Sequence, residues 1–379
     1  MLFAAAAPAP EWNVLLFTID SCNQSRMSLY GNPVETTPNI DRWARHAAVF
    51  DRAYSVSAWT APGLVSILSG MLPSVHGVDS RDRHAGEKLP TLLKAFGSRG
   101  FDVPNLNFFT FAPYYQNLGL PAIDRSYFTA NDGDELLNYL DRNAGKRFFV
   151  WYHTTKVHQP YNPPDDVLKL MMQSRDRKGA ARQTGGAGKA TQPPPSPVTW
   201  EQALKSPGIQ AVRQGAIVPK GSVKFSRDDL PALHALYDAE LYNMDQFFGR
   251  VLEKLREKGL EDRTLIVLTA DHGEELLEHD FVGHASTSLN AKLFEELIHI
   301  PLVIRLPGQT QGTRNRQLVQ QIDIAPTLLQ LFGIQASPPP LSHSPNPPLS
   351  RSSAPPLSHS PTPRLSLSPS LRPSFSPSL

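Results

Sequence analysis

Three residues that commonly bind metal ions follow two apolar stretches of the sequence. Asp20 ends the stretch NVLLFTID, and Asp271 ends the stretch TLIVLTAD, with His272 directly after it. A carboxylate at the end of a buried strand is energetically costly unless it is paired or binds a cation. Two such carboxylates and an imidazole on neighbouring strand ends would form a cage for a divalent metal ion. The alternative is that each aspartate caps the helix that follows it, because Asp is a favoured N-cap residue.

A hydroxyl group at the start of an apolar helix is the second candidate for chemistry. The segment SAWTAPGLVSILSG, residues 57–70, predicts a polar turn that leads into a short helix beginning near Thr60. Backbone N–H groups and the helix dipole favour an anion at such a position. Thr60 is therefore interpreted as a helix cap, as a nucleophile, or as both, because the two roles are compatible.

Basic side chains follow a third apolar stretch. The segment WYHTTKVHQPYNPP places His153, Lys156 and His158 just after a predicted strand, where they could neutralise an anionic substrate. His284 follows Gly283 in a loop before a predicted helix. A lone loop histidine is most often only a solvated side chain, so neither segment establishes a site by itself.

The elements that must position these residues alternate between strand and helix. The stretches NVLLFTID, RFFVWYH, TLIVLTADHG and HIPLVIRL are continuous apolar runs, typical of strands buried on both faces. The clearest helix spans residues 233–255, with one apolar stripe, and Gly259 follows its end. This alternation predicts an α/β fold in which helices sandwich a mostly parallel sheet. Ligands of such sheets bind beyond the carboxyl ends of the strands.

Five segments in this order resemble the sulfatase family of the alkaline-phosphatase-like superfamily of metal-dependent sulfo- and phosphohydrolases. The resemblance covers about Trp12 to Ile334. The family's first strand, metal loop and following helix are similar to NVLLFTIDSCNQSRMSLYGN with TTPNIDRWA. The family's nucleophile motif, C-x-P-S-R-x-S-L-L-T-G, is similar to TAPGLVSILSG. HQPYNPP is similar to the H-x-P-Y-x-P loop, and TLIVLTADHGE to the second metal loop. GHASTSLNAKLFEELIHIPLVI with QQIDIAPTLLQLFGI resembles the closing segments.

The resemblance implies a role for each candidate residue. Thr60 falls on the nucleophile position, and Asp20, Asp271 and His272 fall on metal-ligand positions. His158 and His284 fall on positions that contact the ester group or protonate the leaving group. His153 and Lys156 are expected to bind the anionic substrate. One divalent metal ion is implied, and Ca²⁺, Mn²⁺ and Zn²⁺ all stay open as its identity.

The sequence also departs from the family pattern. Sulfatases carry a Cys or Ser that is converted to formylglycine, and Thr60 cannot form that aldehyde. Leu64 replaces the arginine of the motif, and Ser21 stands where many sulfatases have a second aspartate ligand. Threonine nucleophiles occur in members of the superfamily that act on phosphoesters. Thr60 therefore favours phosphoester cleavage, or a weakened or lost sulfatase activity.

Composition predicts how the chain is organised. One α/β catalytic domain is expected over residues 11–336, with an insertion or lid region at 165–230. Residues 337–379 are Pro, Ser and Leu with almost no charge, which predicts disorder. This tail is interpreted as a docking segment, as an extension without function, or as the product of a shifted reading frame that replaces the true C-terminus. It stands in place of the family's small C-terminal subdomain, which is expected to be missing, and residues 1–10 are interpreted as the remnant of a signal peptide.

Charge and cysteine usage exclude several classes of protein. The formal net charge is +2, without a basic stripe interleaved with aromatic residues, so nucleic acid is not an expected partner. Cys22 is the single cysteine, which excludes an internal disulfide and a cysteine-rich zinc site. No apolar run of the length needed for a transmembrane helix occurs. Export to the periplasm or the extracellular space is expected, with the cytoplasm as the alternative.

Two functions from different classes fit these observations. The first is a metal-dependent hydrolase of sulfate or phosphate esters that uses Thr60 as its nucleophile, with a small anionic ester or a glycan as substrate. The second is a non-catalytic sulfatase-like protein that binds sulfated or phosphorylated ligands. The retained candidate residues favour the enzyme, whereas Leu64 and the reduced number of carboxylates favour the binding protein. A third interpretation is a damaged gene product that folds poorly, which the composition of the tail suggests.

Overall fold

The computed structural model describes residues 11–129, 131, 133–184, 199–215, 218, 221–284 and 293–335. For residues 178–184 it describes only the backbone. The predicted signal remnant, the predicted tail and residues 185–198 of the predicted insertion lie outside these ranges.

A six-stranded mixed sheet forms the centre of the protein. The strands of the described residues are β1 Asn13–Ile19, β2 Ala48–Tyr54, β3 Phe149–Thr154, β4 Thr264–Ala270, β5 Glu275–Leu276, β6 Val282–Gly283, β7 His299–Arg305 and β8 Thr313–Gln320. The order in the main sheet is β3-β1-β4-β7-β2-β8, and β5 and β6 form a separate pair. β1 is parallel to β3 and β4, and β2 is parallel to β8, whereas β7 runs antiparallel to both of its neighbours. The sheet is therefore mostly parallel, as the sequence predicts.

Helices cover both faces of this sheet. The α-helices of the described residues are α1 Pro38–Ala44, α2 Thr60–Ser69, α3 Pro73–His76, α4 Leu92–Gly97, α5 Asp134–Arg142, α6 Asp165–Thr184, α7 Trp200–Leu204, α8 Pro207–Gln214, α9 Leu230–Glu257, α10 Glu295–Ile298 and α11 Ile324–Leu331. On one face Phe17 of β1 lies against Phe248 of α9, with ring centroids 5.1 Å apart. On the other face Phe149 of β3 stacks on Phe96 of α4 at 4.5 Å. This layering matches the predicted α/β sandwich.

The apolar pattern of the sequence explains which elements form. Every residue of β1 and β4 is buried, because each strand lies between two neighbours with helices above and below. The apolar stripe predicted for residues 233–255 is buried along α9, and Gly259 follows the end of that helix with φ of +65°. None of the helices in the described part of the chain combines the length and the apolar character needed to cross a lipid bilayer.

Three parallel strands end at one edge of the sheet. In the register of β1, Ile19 lies beside Thr154 of β3 and Ala270 of β4. The residues that follow these three positions therefore meet in one place. They include Asp20, Asp271 and the loop that carries Lys156 and His158.

Candidate active site

Two carboxylates and an imidazole meet at this sheet edge. Asp20, Asp271 and His272 each offer one ligand atom, and these atoms lie within 4.8 Å of one another. All three side chains are buried. The metal-ligand positions predicted from the sequence are thus brought together by the parallel ends of β1 and β4.

The hydrogen bonds around the two carboxylates satisfy them unequally. Asp20 accepts from the hydroxyl of Ser21 at 2.9 Å, and its Oδ2 lies 3.3 Å from Nε2 of His153. Oδ1 of Asp271 accepts from the backbone N–H groups of Ser21 and His272 at 3.2 and 2.8 Å. Oδ2 of Asp271 is buried, and no hydrogen-bond donor reaches it from the described residues. A buried oxygen of this kind is a fitting ligand for a cation.

The electrostatics of the cluster also fit a bound cation. Burial by itself raises the pKa of Asp20, but the neighbouring imidazoles of His158 and His153 outweigh it and lower the pKa well below its usual range. Burial and the adjacent charge of Asp20 raise the pKa of Asp271 well above its usual range. Two carboxylates at such short range do not both ionise readily unless a positive charge lies between them. Two carboxylates and one imidazole form a donor set that suits a divalent metal ion.

The hydrogen bond of one ring nitrogen fixes the tautomer of His272. Nδ1 of His272 donates to the carbonyl oxygen of Gly273 at 2.7 Å, since a carbonyl can only accept. Nε2 then carries a lone pair that faces Oγ1 of Thr60 at 3.3 Å. Burial and the neighbouring His284 lower the pKa of His272 well below its usual range, which keeps this lone pair available. Nε2 is therefore able to bind a metal ion or accept the proton of Thr60.

The helix that carries Thr60 does not use Thr60 as its N-cap residue. Trp59 occupies the N-cap position of α2, and Thr60 is the first helical residue. No side-chain hydrogen bond caps this N-terminus, so the hydroxyl of Thr60 does not serve as the cap. The hydroxyl instead points to His272, at the end of the helix that attracts anions.

A glycine lets this helix approach the strand end closely. A Cβ atom at Gly63 would lie 2.6 Å from the carbonyl oxygen of Asp271, nearer than real Cβ contacts allow. The hydroxyl of Ser55 donates to the same carbonyl at 2.6 Å and holds it from the other direction. Gly63 and Ser55 thus set the separation between Thr60 and the carboxylate cluster.

His284 is held by a buried carboxylate that sequence reasoning missed. Nδ1 of His284 lies 3.1 Å from Oε1 of Glu274, and both side chains are buried. Burial opposes the charged imidazole, but Glu274 outweighs this effect and raises the pKa of His284. The ring of His284 lies 4.4 Å from the ring of His272 and 4.9 Å from that of His158, measured between centroids. The acidic segment DHGEE after β4 is the signal in the sequence that could have indicated Glu274.

The remaining basic residues occupy two different environments. His153 lies behind Asp20 with a fully buried side chain, and its Nδ1 lies 3.0 Å from the hydroxyl of Thr18. These contacts orient Asp20 and leave His153 no open path to a substrate. Lys156 and His158 line a cavity of about 460 Å³ that Asp20 also borders. Of the two residues predicted to bind substrate, only Lys156 therefore faces open space beside the cluster.

The chain is similar to known proteins over most of its length. The sulfatase family model matches residues 12–334. An N-acetylglucosamine-6-O-sulfatase from Bacteroides thetaiotaomicron is 24% identical, over 85% of this chain and 68% of the relative. The human iduronate 2-sulfatase is 25% identical, over 86% of this chain and 70% of the relative.

A solved structure shares the fold. The phosphonate monoester hydrolase of Agrobacterium radiobacter superposes with a TM-score of 0.64 at 19% identity, over 86% of this chain and 74% of that structure. At this identity the similarity establishes the α/β architecture alone.

Proposed function

Because the chain belongs to the sulfatase family, we propose that it is a metal-dependent hydrolase of sulfate or phosphate esters with Thr60 as its nucleophile. The observation that carries this proposal is the position of the Thr60 hydroxyl, 3.3 Å from Nε2 of His272 and beside the buried carboxylates. The relatives named N-acetylglucosamine-6-O-sulfatase and iduronate 2-sulfatase support a sulfated sugar as one candidate substrate. The proposed catalytic unit is residues 11–336, and export stays a prediction.

The metal ion would be held by Asp20, Asp271 and His272. When bound, it would lower the pKa of the Thr60 hydroxyl and neutralise charge on the ester group. The buried Oδ2 of Asp271, which lacks a hydrogen-bond donor among the described residues, supports this assignment. The choice among Ca²⁺, Mn²⁺ and Zn²⁺ is left to the assay.

The hydroxyl of Thr60 first loses its proton to solvent, and the first chemical step is attack by this deprotonated Oγ1 on the sulfur or phosphorus atom. A bond from Oγ1 to that atom forms, and its bond to the leaving-group oxygen breaks. The leaving oxygen takes a proton from His284, whose charged form Glu274 stabilises. The N–H groups at the start of α2 are positioned to bind an oxygen of the transferred group.

The second step releases the group from Thr60. Water attacks the covalent ester, the bond to Oγ1 breaks, and His284 now accepts a proton from the water. Lys156 and His158 border the cavity and favour an anionic substrate in both steps. His153 acts through Asp20 as a positioning residue.

A paired assay tests this function. The purified chain is given p-nitrophenyl sulfate, p-nitrophenyl phosphate and bis-p-nitrophenyl phosphate, each with Mn²⁺, Zn²⁺, Ca²⁺ or EDTA. We expect metal-dependent release of p-nitrophenol that disappears in Thr60→Val, which keeps the shape of the side chain but lacks the hydroxyl. Ser69→Ala is the matched control, because the hydroxyl of Ser69 bonds to the carbonyl of Val65 within the same helix. Equal rates in Thr60→Val and wild type would refute the role of Thr60.

A further inference from the structure

The cavity beside Asp20 contains residues that the proposed chemistry does not use. Glu240 and Asn243 of α9 line it, together with Phe108 from the 3₁₀ turn Phe108–Phe111. A volume of about 460 Å³ is within the usual range of small-molecule sites. Because the cavity also reaches Asp20, its occupant would be the part of the substrate next to the ester bond.

Glu240 has hydrogen-bonding capacity to offer an occupant of this cavity. Its side chain is buried, and the backbone N–H of Asn162 donates to its Oε1 at 2.7 Å. Among the residues that the structure describes, none donates a hydrogen bond to Oε2. Burial is the main reason that the pKa of Glu240 is raised to about 8, and the charge of Lys156 only moderates it. A carboxyl group that keeps its proton near neutral pH is able to donate as well as accept a hydrogen bond.

Phe108 gives the same cavity an apolar surface. Phe108 is 53% exposed, although it borders a polar site. The next residue, Phe109, is anchored by an edge contact with His153, with ring centroids 5.0 Å apart. Since His153 in turn contacts Asp20, the turn that presents Phe108 is fixed relative to the carboxylate cluster. An exposed aromatic ring beside hydrogen-bonding groups suits a ligand that has an apolar face and polar edges.

We propose that Glu240 is a specificity-determining residue that hydrogen-bonds a hydroxyl group of the leaving group, while Phe108 packs against the face of the same ring. This inference rests on the proposed function, because it describes the alcohol part of the ester that Thr60 attacks. The substrate class is then a sulfate or phosphate monoester of a small hydroxylated ring. A plain aryl ester would satisfy Phe108 but leave Oε2 of Glu240 without a partner, which costs binding free energy.

The test compares esters that differ by one hydroxyl group. The full chain is assayed with its preferred metal ion and with the preferred ester type, sulfate or phosphate. The substrates are the p-nitrophenyl ester, the monoesters of glucose at each hydroxyl position, and the analogues of these monoesters that lack one further hydroxyl group. Wild type is compared with Glu240→Ala, Glu240→Gln and Phe108→Ala, with kcat/KM as the readout. Phe111→Ala is the matched control, because Phe111 belongs to the same turn and is 78% exposed but does not border the cavity.

We expect removal of one particular hydroxyl to lower kcat/KM of the wild type at least about tenfold. On the parent ester, Glu240→Ala should show a similar fall in kcat/KM. Removal of that same hydroxyl from the substrate should then lower kcat/KM of this variant no further. Glu240→Gln keeps the acceptor for Asn162 and offers an N–H donor in place of the protonated oxygen, so near neutral pH it should keep most of the wild-type rate on both the p-nitrophenyl and the hydroxylated ester. Phe108→Ala should lower the rate on the glucose ester about tenfold, and Phe111→Ala should not.

Three results would overturn the inference. One is an equal penalty for each deoxygenated analogue in wild type and Glu240→Ala, and another is a wild-type rate of Glu240→Ala on the hydroxylated ester. The third is turnover of the p-nitrophenyl ester with no turnover of any glucose ester. A folded wild-type chain that hydrolyses no ester at all would instead overturn the proposed function, and the inference with it.

Discussion

Asp238 and Asp271 are both fully buried, and their surroundings differ in one respect. Asp238 of α9 is bound by two arginines: Arg26 donates to its two oxygens at 2.6 and 2.7 Å, and Arg175 donates at 2.8 Å. Asp271, after β4, accepts two backbone N–H groups on Oδ1, and no donor among the described residues reaches Oδ2. Two arginines therefore pair with the carboxylate of Asp238, whereas no arginine or lysine of the described residues pairs with that of Asp271.

This difference separates a structural carboxylate from a candidate functional one. A buried negative charge is stable when paired cations and hydrogen bonds surround it, as they surround Asp238. Without such a partner the carboxylate takes up a proton or binds a cation from solution. Asp271 lies within reach of Asp20 and His272, so an added cation would find three ligands there. The missing arginine at Asp271 is thus an argument for a metal site.

The largest expected effect concerns activity. Asp271→Asn removes one charged ligand, and we expect it to lower kcat/KM for the preferred ester about 10³-fold, because metal binding and activation of Thr60 both weaken. Asp238→Asn should keep most of the activity of its folded fraction. Steady-state kinetics on both variants, with folding checked by circular dichroism, measure the contrast. Comparable losses in the two variants would erase the distinction between the two carboxylates.

The second effect concerns stability, and here we expect a larger loss from substitution of Asp238 than of Asp271. Asp238→Ala leaves Arg26 and Arg175 without their shared carboxylate, and removal of one partner of a buried ion pair costs about 3–5 kcal/mol. Asp271→Ala removes a carboxylate that repels Asp20, so in EDTA it should change the free energy of unfolding far less. Urea unfolding in EDTA measures both values. A larger loss for Asp271→Ala would contradict the comparison.

The third effect is a gain in stability from the metal ion. A divalent ion at one hundred times its dissociation constant should stabilise the wild-type chain by about 2.7 kcal/mol, because it binds the folded state. The thermal midpoint should rise with Mn²⁺, Zn²⁺ or Ca²⁺ and fall back with EDTA. Asp271→Asn should lose this shift, and a destabilised Asp238→Asn should retain it. A metal-dependent shift that survives Asp271→Asn would place the ion elsewhere.

The smallest effect adds a third buried carboxyl group to the comparison. No arginine among the described residues pairs with Glu240, and Glu240 does not belong to the carboxylate cluster. Burial raises its pKa from 4.5 to about 8. The folded state therefore holds a proton that the unfolded state releases between these pH values, so its stabilising contribution is complete below about pH 4.5 and is lost as the pH rises through 8. Glu240→Gln should flatten the loss of stability across this interval. Parallel curves of unfolding free energy against pH for both proteins would show that Glu240 does not titrate in this way.

The sequence predicted the parts of the fold that burial dictates. β1, β3, β4 and β7 each contain a continuous apolar run, and these runs identify them as buried strands. β2 and β8 were missed, because β2 contains Asp51 and Arg52, and β8 is a largely exposed edge strand. The antiparallel direction of β7 was not predicted either, since apolar periodicity carries no information on strand direction.

The candidate site was predictable where metal-binding residue types directly follow an apolar run in the sequence. Asp20, Asp271 and His272 follow buried strands, and parallel pairing of β1 and β4 brings them together. Glu274 and Glu240 were missed, because their importance depends on burial and on partners distant in sequence. The predicted insertion at residues 165–230 contains the whole of α6, which extends to Thr184. The Gly and Pro residues of this region favour a loop, so the helix was not predicted.

The close approach at Gly63 has a consequence for changing the activity of this protein. Position 63 bears no side chain and takes no part in any chemical step, yet its missing Cβ admits the Asp271 carbonyl to the first turn of α2. Any larger residue there would have to push the helix outward and move the hydroxyl of Thr60, the proposed nucleophile, with it. Replacement of Thr60 by Ser or Cys to redirect the chemistry therefore depends on an untouched glycine three positions further along the chain. The position of the proposed nucleophile thus depends on a residue that has no reactive group of its own.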